Sequence, residues 1–321
     1  MEMLSLGLIV LGLGVFEVVS SIDNAVINAE VLGTMSPKGR KWFLMYGILF
    51  AVFIVRGLLP WAIVWVTNPS IGPIGALTAT FSNDPRIRES FETSTPILMM
   101  GGGVFLLFLF LYWLFLEEKH YGLPLEPFFS RHGFWFYAIV SLLMVGIVAL
   151  ALKVDPMLAL AAVIGSSAFF ITDGFKKNAE VNERKLLDSS FAMSDVSKIL
   201  YLEIIDTTFS IDGVLGAFAF TMSVPLIILG NGLGAVVVRQ LTLSNIDNIR
   251  KFIYLKNGAM YSIFFLGLMM VLKGFRVEIP EIVTPIVTLA LIGYFYGKSV
   301  RHAKRLEKET EGPETDRKEN P

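Results

Sequence analysis

Two stretches of the sequence decide the fold: residues 16–26, FEVVSSIDNAV, and residues 203–219, EIIDTTFSIDGVLGAFA. In both, the aspartate of a Ser-Ile-Asp triplet follows another acidic residue by six positions. Each stretch lies inside an apolar segment, where an acidic side chain at mid-bilayer costs about 2.5–3.5 kcal/mol on insertion scales. The pattern therefore predicts a polar site within a membrane protein, built from two copies of one motif.

The composition indicates that the bilayer is the solvent. The 321 residues are 54% hydrophobic and 17% charged, with a mean hydropathy of +0.63, which is unlike an ordinary soluble domain. Because a spanning helix needs roughly 20 mainly apolar residues, we predict an all-α polytopic membrane protein with about nine transmembrane helices. The predicted spans are about 4–36, 42–66, 96–116, 134–152, 156–173, 199–223, 225–241, 258–272 and 281–297.

A second sequence similarity extends the repeat. The sequence FIVRGL around Arg56, in the second predicted span, resembles VVVRQL around Arg239, in the seventh. Since the first and sixth spans are five apart, the copies run in opposite directions, which predicts an inverted-topology internal repeat with a site where the copies meet. We expect a single transmembrane domain over 1–297 and a disordered cytoplasmic tail over 298–321. Within the domain, repeat one covers about 4–116, repeat two about 199–297, and linking helices 134–173.

The distribution of basic residues predicts the orientation. If the amino terminus is outside, 20 of the 27 Lys and Arg residues fall in cytoplasmic segments, five fall outside, and Arg56 and Arg239 lie within spans. This asymmetry follows the positive-inside rule. It predicts a multi-pass protein of the plasma (inner) membrane with a cytoplasmic carboxyl terminus. The lipid bilayer is then the main partner. A net charge of −1 gives no indication of nucleic-acid binding. The sequence leaves open whether the protein forms a homo-oligomer.

The spans carry more acid than base. The predicted intramembrane acids are Glu17, Asp23, Glu203, Asp206 and Asp212. Arg56 and Arg239 can offset two of these charges, so the other carboxylates must be protonated or paired with bound cations. Acids six residues apart lie about 120° apart on an ideal helix, so we expect helix breaks near 21–24 and 210–213 that let them converge.

The available donors favour hard cations. Carboxylate, amide, hydroxyl and carbonyl oxygens, in a chain without cysteine, suit manganese(II), calcium or magnesium as a transported substrate. The carboxylates could also carry protons in exchange, and no organic cofactor is expected. Glycine-rich residues 101–103 and 231–235 would permit close helix approach beside the site. The predicted supporting residues are Ser20, Ser21, Arg56, Thr207, Ser210, Asn231 and Arg239.

The two acidic stretches resemble the TerC family of integral membrane proteins, in particular its prokaryotic branch of uncharacterised function. The family is grouped with the LysE-like exporters, and members are linked to manganese efflux. The resemblance implies that the ion site is lined by Glu17, Asp23, Asn24, Glu203, Asp206 and Asp212. The second copy departs from the first, with Gly213 in place of Asn24 and an additional acid at Glu203.

We therefore expect a membrane transporter, and more specifically an exporter, of divalent metal cations with manganese favoured. The alternative is a non-transporting membrane scaffold that recruits partners through a loop at 174–198 and the tail. An enzyme is not expected, because the sequence has no HExxH, no GxSxG and no Gly-rich phosphate loop.

Overall fold

The computed structural model describes residues 2–47, 50–78, 84–187, 194–244 and 251–311, and over these ranges the chain is helical with no strand. The α-helices are α1 (Glu2–Ser20), α2 (Ile22–Gly33), α3 (Pro37–Trp42), α4 (Leu59–Thr67), α5 (Gly72–Thr78), α6 (Pro85–Leu116), α7 (Glu126–Arg131), α8 (Phe136–Val154), α9 (Pro156–Leu187), α10 (Asp195–Phe209), α11 (Ile211–Phe220), α12 (Val224–Ser244), α13 (Leu255–Gly274) and α14 (Val283–Glu311). Two π-helical stretches, π1 (Phe43–Gly47) and π2 (Phe50–Leu58), precede α4. The all-α prediction is confirmed.

Seven helices in the described ranges are long and apolar enough to cross a membrane, so the chain is a multi-pass membrane protein. These helices are Met3–Ser20, Pro85–Leu116, Gly133–Val154, Pro156–Asn178, Val224–Leu241, Leu255–Gly274 and Val283–Leu306. They coincide with seven of the nine predicted spans. Within the described residues, the second and sixth predicted spans contain shorter apolar helices, Ile54–Thr67 and Ile211–Phe220.

Both segments have irregular backbone geometry. In the second, π2 changes to α-helix at Leu59, next to Pro60, and a proline has no N–H to donate to the preceding turn. In the sixth, α10 ends at Phe209 and α11 starts at Ile211, with Ser210 at φ −89° and ψ −5° between them. π-Helical turns are rare and are found frequently at functional sites.

The first span is interrupted in the same way. Helix α1 ends at Ser20 and α2 begins at Ile22, with Ser21 at φ −95° and ψ 4°. Ser21 and Ser210 are the serines of the two Ser-Ile-Asp triplets, so the breaks fall at equivalent positions. The prediction of a break in each motif is confirmed.

Glycines bring the helices close together. A Cβ on Gly234 of α12 would lie 2.6 Å from Glu17 Cβ and 2.7 Å from Gly14 O, so α12 contacts α1 directly at the acidic motif. A Cβ on Gly103 of α6 would lie 2.9 Å from Gly267 O of α13. Both glycine-rich runs therefore permit close approach, although the packing of Gly103 is against α13 rather than against the motifs.

Two helices extend further than predicted. Helix α9 continues to Leu187, beyond the predicted span end at 173, and α14 continues to Glu311, so 298–311 is helical where a disordered tail was expected. Both extensions are rich in Lys, Arg and Glu, which are good helix formers when exposed. Residues 188–193 and 312–321 lie outside the described ranges.

Candidate functional site

Arg56 connects the two acidic motifs. From π2, its Nε donates a hydrogen bond of 2.9 Å to Glu17 Oε1 on α1, and an Nη2 bond reaches the same oxygen. Its Nη1 lies 3.9 Å from Asp206 Oδ2 on α10. Glu17 and Asp206 are the leading acids of the two motifs, six residues before the aspartate in each. The two copies therefore meet at one guanidinium.

Further groups from both copies lie against Glu17. Ser21 Oγ, at the break of its own motif, donates to Glu17 Oε1 at 2.8 Å. A Cβ on Gly213, in the second motif, would lie 3.2 Å from Glu17 Oε2. The side chains of Glu17 and Arg56 are each 3% exposed, so this ion pair is fixed inside the protein.

Arg239 makes the second buried ion pair. Its Nη2, on α12, donates to Glu203 Oε1 at 2.9 Å and to Oε2 at 3.1 Å. Its Nη1 donates to Phe43 O at 3.4 Å, and its guanidinium carbon lies 4.2 Å from the centre of the Phe43 ring. Phe43 was not a predicted site residue, and no spacing in the sequence signals its contact with Arg239.

Both arginines form ion pairs with predicted intramembrane acids, with one asymmetry. Arg56 pairs with Glu17, the leading acid of the first motif, whereas Arg239 pairs with Glu203, the additional acid of the second. The leading acid of the second motif, Asp206, faces Arg56 instead. The two copies are therefore not related by strict two-fold ion pairing.

A third cation contacts the site. Lys176 Nζ, on α9, lies 3.5 Å from Asp212 Oδ2 on α11. The sequence interpretation left Lys176 in a loop because the apolar run ends near 173. The i,i+4 pair of Asp173 and Lys177, joined at 2.7 Å, is the signal that could have extended the helix and carried Lys176 to α11.

Some polar atoms on the predicted site residues are buried without a hydrogen-bond partner. They are Ser210 Oγ, Asp212 Oδ1 and both amide atoms of Asn231, which is fully buried on α12. Such atoms are unusual because a buried polar group without a partner costs about 1–3 kcal/mol. Thr207 and Ser20, in contrast, donate to carbonyl oxygens of their own helices, at Glu203 O (2.7 Å) and Glu17 O (3.2 Å).

The predicted ligands divide among three cations. Within the described residues, no three His, Cys, Asp or Glu side chains form a group that could hold a metal ion. Glu17 and Asp206 face Arg56, Glu203 faces Arg239, and Asp212 faces Lys176. Asp23 and Asn24 lie on the first turn of α2, and their side chains are outside the described part of the structure. The six-residue ion site thus remains a prediction.

Comparison with known proteins gives one result. A family model described as a protein of unknown function, DUF475, matches residues 22–306, which is most of the chain. The chain belongs to the DUF475 family. No curated protein and no solved structure matches it. The match includes the break at Ser210 and the whole second motif, whereas Glu17 and the break at Ser21 lie just before it.

The prediction of TerC family membership is wrong, since DUF475 is a different family. The resemblance was based on two short stretches around Ser-Ile-Asp. A carboxylate next to a helix break satisfies a physical need that unrelated membrane proteins share, because both polar side chains and freed backbone groups require partners inside a bilayer. Such a motif therefore does not identify a family. The DUF475 match does, because it covers residues 22–306.

Proposed function

We propose that this protein is a membrane transporter of divalent cations, with manganese(II) favoured and export as the direction, and that it is not an enzyme. The observation that carries the proposal is the meeting of two copies of an acidic motif at buried Arg56. In transporters built from inverted repeats, the ion site lies near the midplane, where the repeats meet and helices are broken.

The contacts suggest that the acids have two different roles. Glu17 and Glu203 are held by arginines, so they fix the geometry of the helices around the site. The oxygen atoms of Asp206, Asp212, Ser210 and Asn231 are the proposed ligands, with Asp23 and Asn24 as further ligands from the first motif. Manganese(II), calcium and magnesium all accept such oxygen donors, and the aspartates can carry protons in exchange.

We further propose an orientation. The amino terminus lies outside and the carboxyl terminus in the cytoplasm of the plasma membrane, because the sequence then places 20 of 27 basic residues on the cytoplasmic side. Ions would enter between α1 and α10 from the cytoplasm and leave on the outer side as the repeats move relative to each other.

Stabilisation by ions tests the proposal. An ion that binds only the folded protein raises its unfolding temperature by mass action. We expect manganese to raise the temperature most among manganese, calcium, magnesium and zinc, and the double variant Asp206→Asn, Asp212→Asn to lose the effect. The control is Asp173→Asn, which removes a carboxylate that pairs with Lys177 and is not a proposed ligand. Equal stabilisation of wild type and double variant would contradict the proposal.

The alternative function is a non-transporting scaffold that recruits partners. It relied on a loop at 174–198 and on the tail, and α9 makes the first of these helical as far as Leu187, with Lys176 near Asp212. A scaffold would also retain its function when Asp206 and Asp212 are replaced together, which the experiment above distinguishes.

A further inference from the structure

The ion pair between Lys176 and Asp212 differs from the two arginine pairs. The arginine pairs are hydrogen-bonded, and their side chains are no more than 7% exposed. Lys176 Nζ is 3.5 Å from Asp212 Oδ2, and both side chains are 16% exposed. This pair is looser and closer to water, so it can separate at a lower cost than the other two.

Asp212 also has capacity for another partner. Its Oδ1 is buried with no hydrogen-bond partner, and the Oγ of Ser210, two residues earlier at the helix break, is in the same condition. Ser210 is 5% exposed and lies one helical turn after Asp206. The unpartnered oxygens therefore point to a ligand beside the Lys176 contact.

The chemistry of lysine suits a displaceable partner. Its ammonium group is a compact charge at the end of a flexible stem, whereas the planar guanidinium of arginine holds a carboxylate through two bonds. Lys176 can therefore neutralise Asp212 and then move aside, while Arg56 and Arg239 keep Glu17 and Glu203 in place.

We propose that Lys176 is a tethered cation that neutralises Asp212 when no transported ion is bound, and that the incoming ion displaces it. This inference rests on the proposed transport function and adds a determinant of affinity and selectivity. Because a divalent ion brings two charges where Lys176 brings one, displacement favours divalent over monovalent ions. Competition from Lys176 also keeps the ion from being held too tightly to be released.

The neighbouring lysine provides a matched control. Lys177 follows Lys176 on the same helix, but it pairs with Asp173 at 2.7 Å, lies 5.1 Å from the centre of the Tyr112 ring and is 54% exposed. Lys177→Gln removes the same charge one residue away without touching Asp212. A general electrostatic effect of α9 would appear in both variants, whereas displacement requires Lys176 alone.

The experiment measures manganese affinity by isothermal titration calorimetry on the purified full-length protein. We expect Lys176→Gln to bind manganese about tenfold more tightly than wild type, as for the loss of one competing, partly screened charge. Lys177→Gln should bind like wild type, and Lys176→Arg more weakly, because arginine keeps its hold on Asp212. Equal or weaker binding by Lys176→Gln, or the same gain in Lys177→Gln, overturns the role of Lys176.

Two results separate this inference from the proposed function. If wild type binds manganese and Lys176→Gln binds it no more tightly, only the role of Lys176 is overturned. If neither protein binds manganese, the proposed transport of manganese is overturned with it. If Lys176→Gln does not fold, Lys176→Arg decides: weaker binding than wild type supports displacement, and unchanged binding overturns it.

Discussion

Arg56 is the residue on which the geometry of the site depends most. It faces Glu17 and Asp206, which come from different copies of the motif, and almost no part of its side chain is exposed. Removing one partner of a buried ion pair leaves a charge that can neither reach water nor find a counter-ion. The sensitivity of the protein to substitution should therefore be greatest at this position.

We predict that Arg56→Met lowers the free energy of unfolding by about 3–5 kcal/mol, because it leaves two buried carboxylates without their cation. The double variant Arg56→Met, Glu17→Gln should lose less than the two single variants together, since each removes the partner of the other. Unfolding of the four proteins in a double-mutant cycle measures this coupling. Additive effects would show that the pair does not hold the motifs together.

Ser210 is predicted to act in binding rather than in folding. Its hydroxyl is buried without a partner, so Ser210→Ala should leave the free energy of unfolding unchanged or raise it, while weakening manganese binding. Thr207→Val is the control, because Thr207 bonds to its own helix at Glu203 O. Titration calorimetry and thermal unfolding separate the two effects. A loss of stability without a loss of affinity in Ser210→Ala would contradict this assignment.

Lys119 gives a pH-dependent prediction outside the spans. Its Nζ donates to Leu114 O at 2.7 Å and to Trp113 O at the end of α6, and burial lowers its pKa to about 8. Between pH of about 8 and 10.5 the unfolded chain holds a proton that the folded protein has lost. The free energy of unfolding therefore rises with pH across this window. Below a pH of about 8, Lys119 is charged in both states, and the full cost of burying its charge lowers the stability of the folded protein.

Thermal unfolding of wild type and Lys119→Met over a series of pH values tests this sign. The difference in unfolding temperature, wild type minus variant, should increase from pH of about 8 towards 10, because only wild type has the buried ammonium to deprotonate. Comparison with the variant removes the contribution of the other lysines. A difference that is constant with pH, or that falls, would rule out the buried ammonium as the cause.

At the scale of helices, the site is built by breaks and by glycine contacts. The breaks at Ser21 and Ser210 are equivalent, and Gly234 brings α12 against Glu17 on α1. These features could be predicted from the sequence, because small polar residues inside an apolar run indicate a break and glycine pairs indicate close packing.

Gly234→Ala should destabilise the protein by about 1–3 kcal/mol, because the added methyl group would overlap Gly14 O and Glu17 Cβ. It should also weaken manganese binding by displacing Glu17. Gly146→Ala on α8 is the matched control, since no atom lies within 4 Å of its added Cβ, and the helix propensity of alanine should make it neutral or stabilising. Thermal unfolding compares the two, and equal stability would argue against tight contact of α1 and α12.

Other elements could not be predicted from hydropathy. The apolar runs end near 173 and 297, but α9 and α14 continue as charged helices, which hydropathy does not distinguish from loops. For this reason the contact of Lys176 with Asp212 was missed. The pairing of Arg239 with Glu203, rather than with Asp206, could not be predicted from the sequence either. Spacing along one helix does not determine which residue of a neighbouring helix each side chain faces.

At the scale of the whole molecule, the duplication predicted that the two motifs come together, and Arg56 provides the contact. The backbone of the second span was less predictable, since its π-helix before Pro60 has no signal in the hydropathy, whereas the break at Ser210 in the sixth was predicted. Short or broken helices around a buried charged cluster are the arrangement expected when a membrane protein binds ions within the bilayer.

Manganese flux into or out of proteoliposomes tests the central claim most directly. Wild type and Asp173→Asn should move manganese across the membrane at comparable rates. Asp206→Asn, Asp212→Asn should fall to the rate of protein-free liposomes, because it removes both proposed carboxylate ligands of the second motif and leaves Glu17 and Glu203 paired with their arginines. If the double variant transports manganese as fast as wild type, the motifs are not the ion site and the account is contradicted.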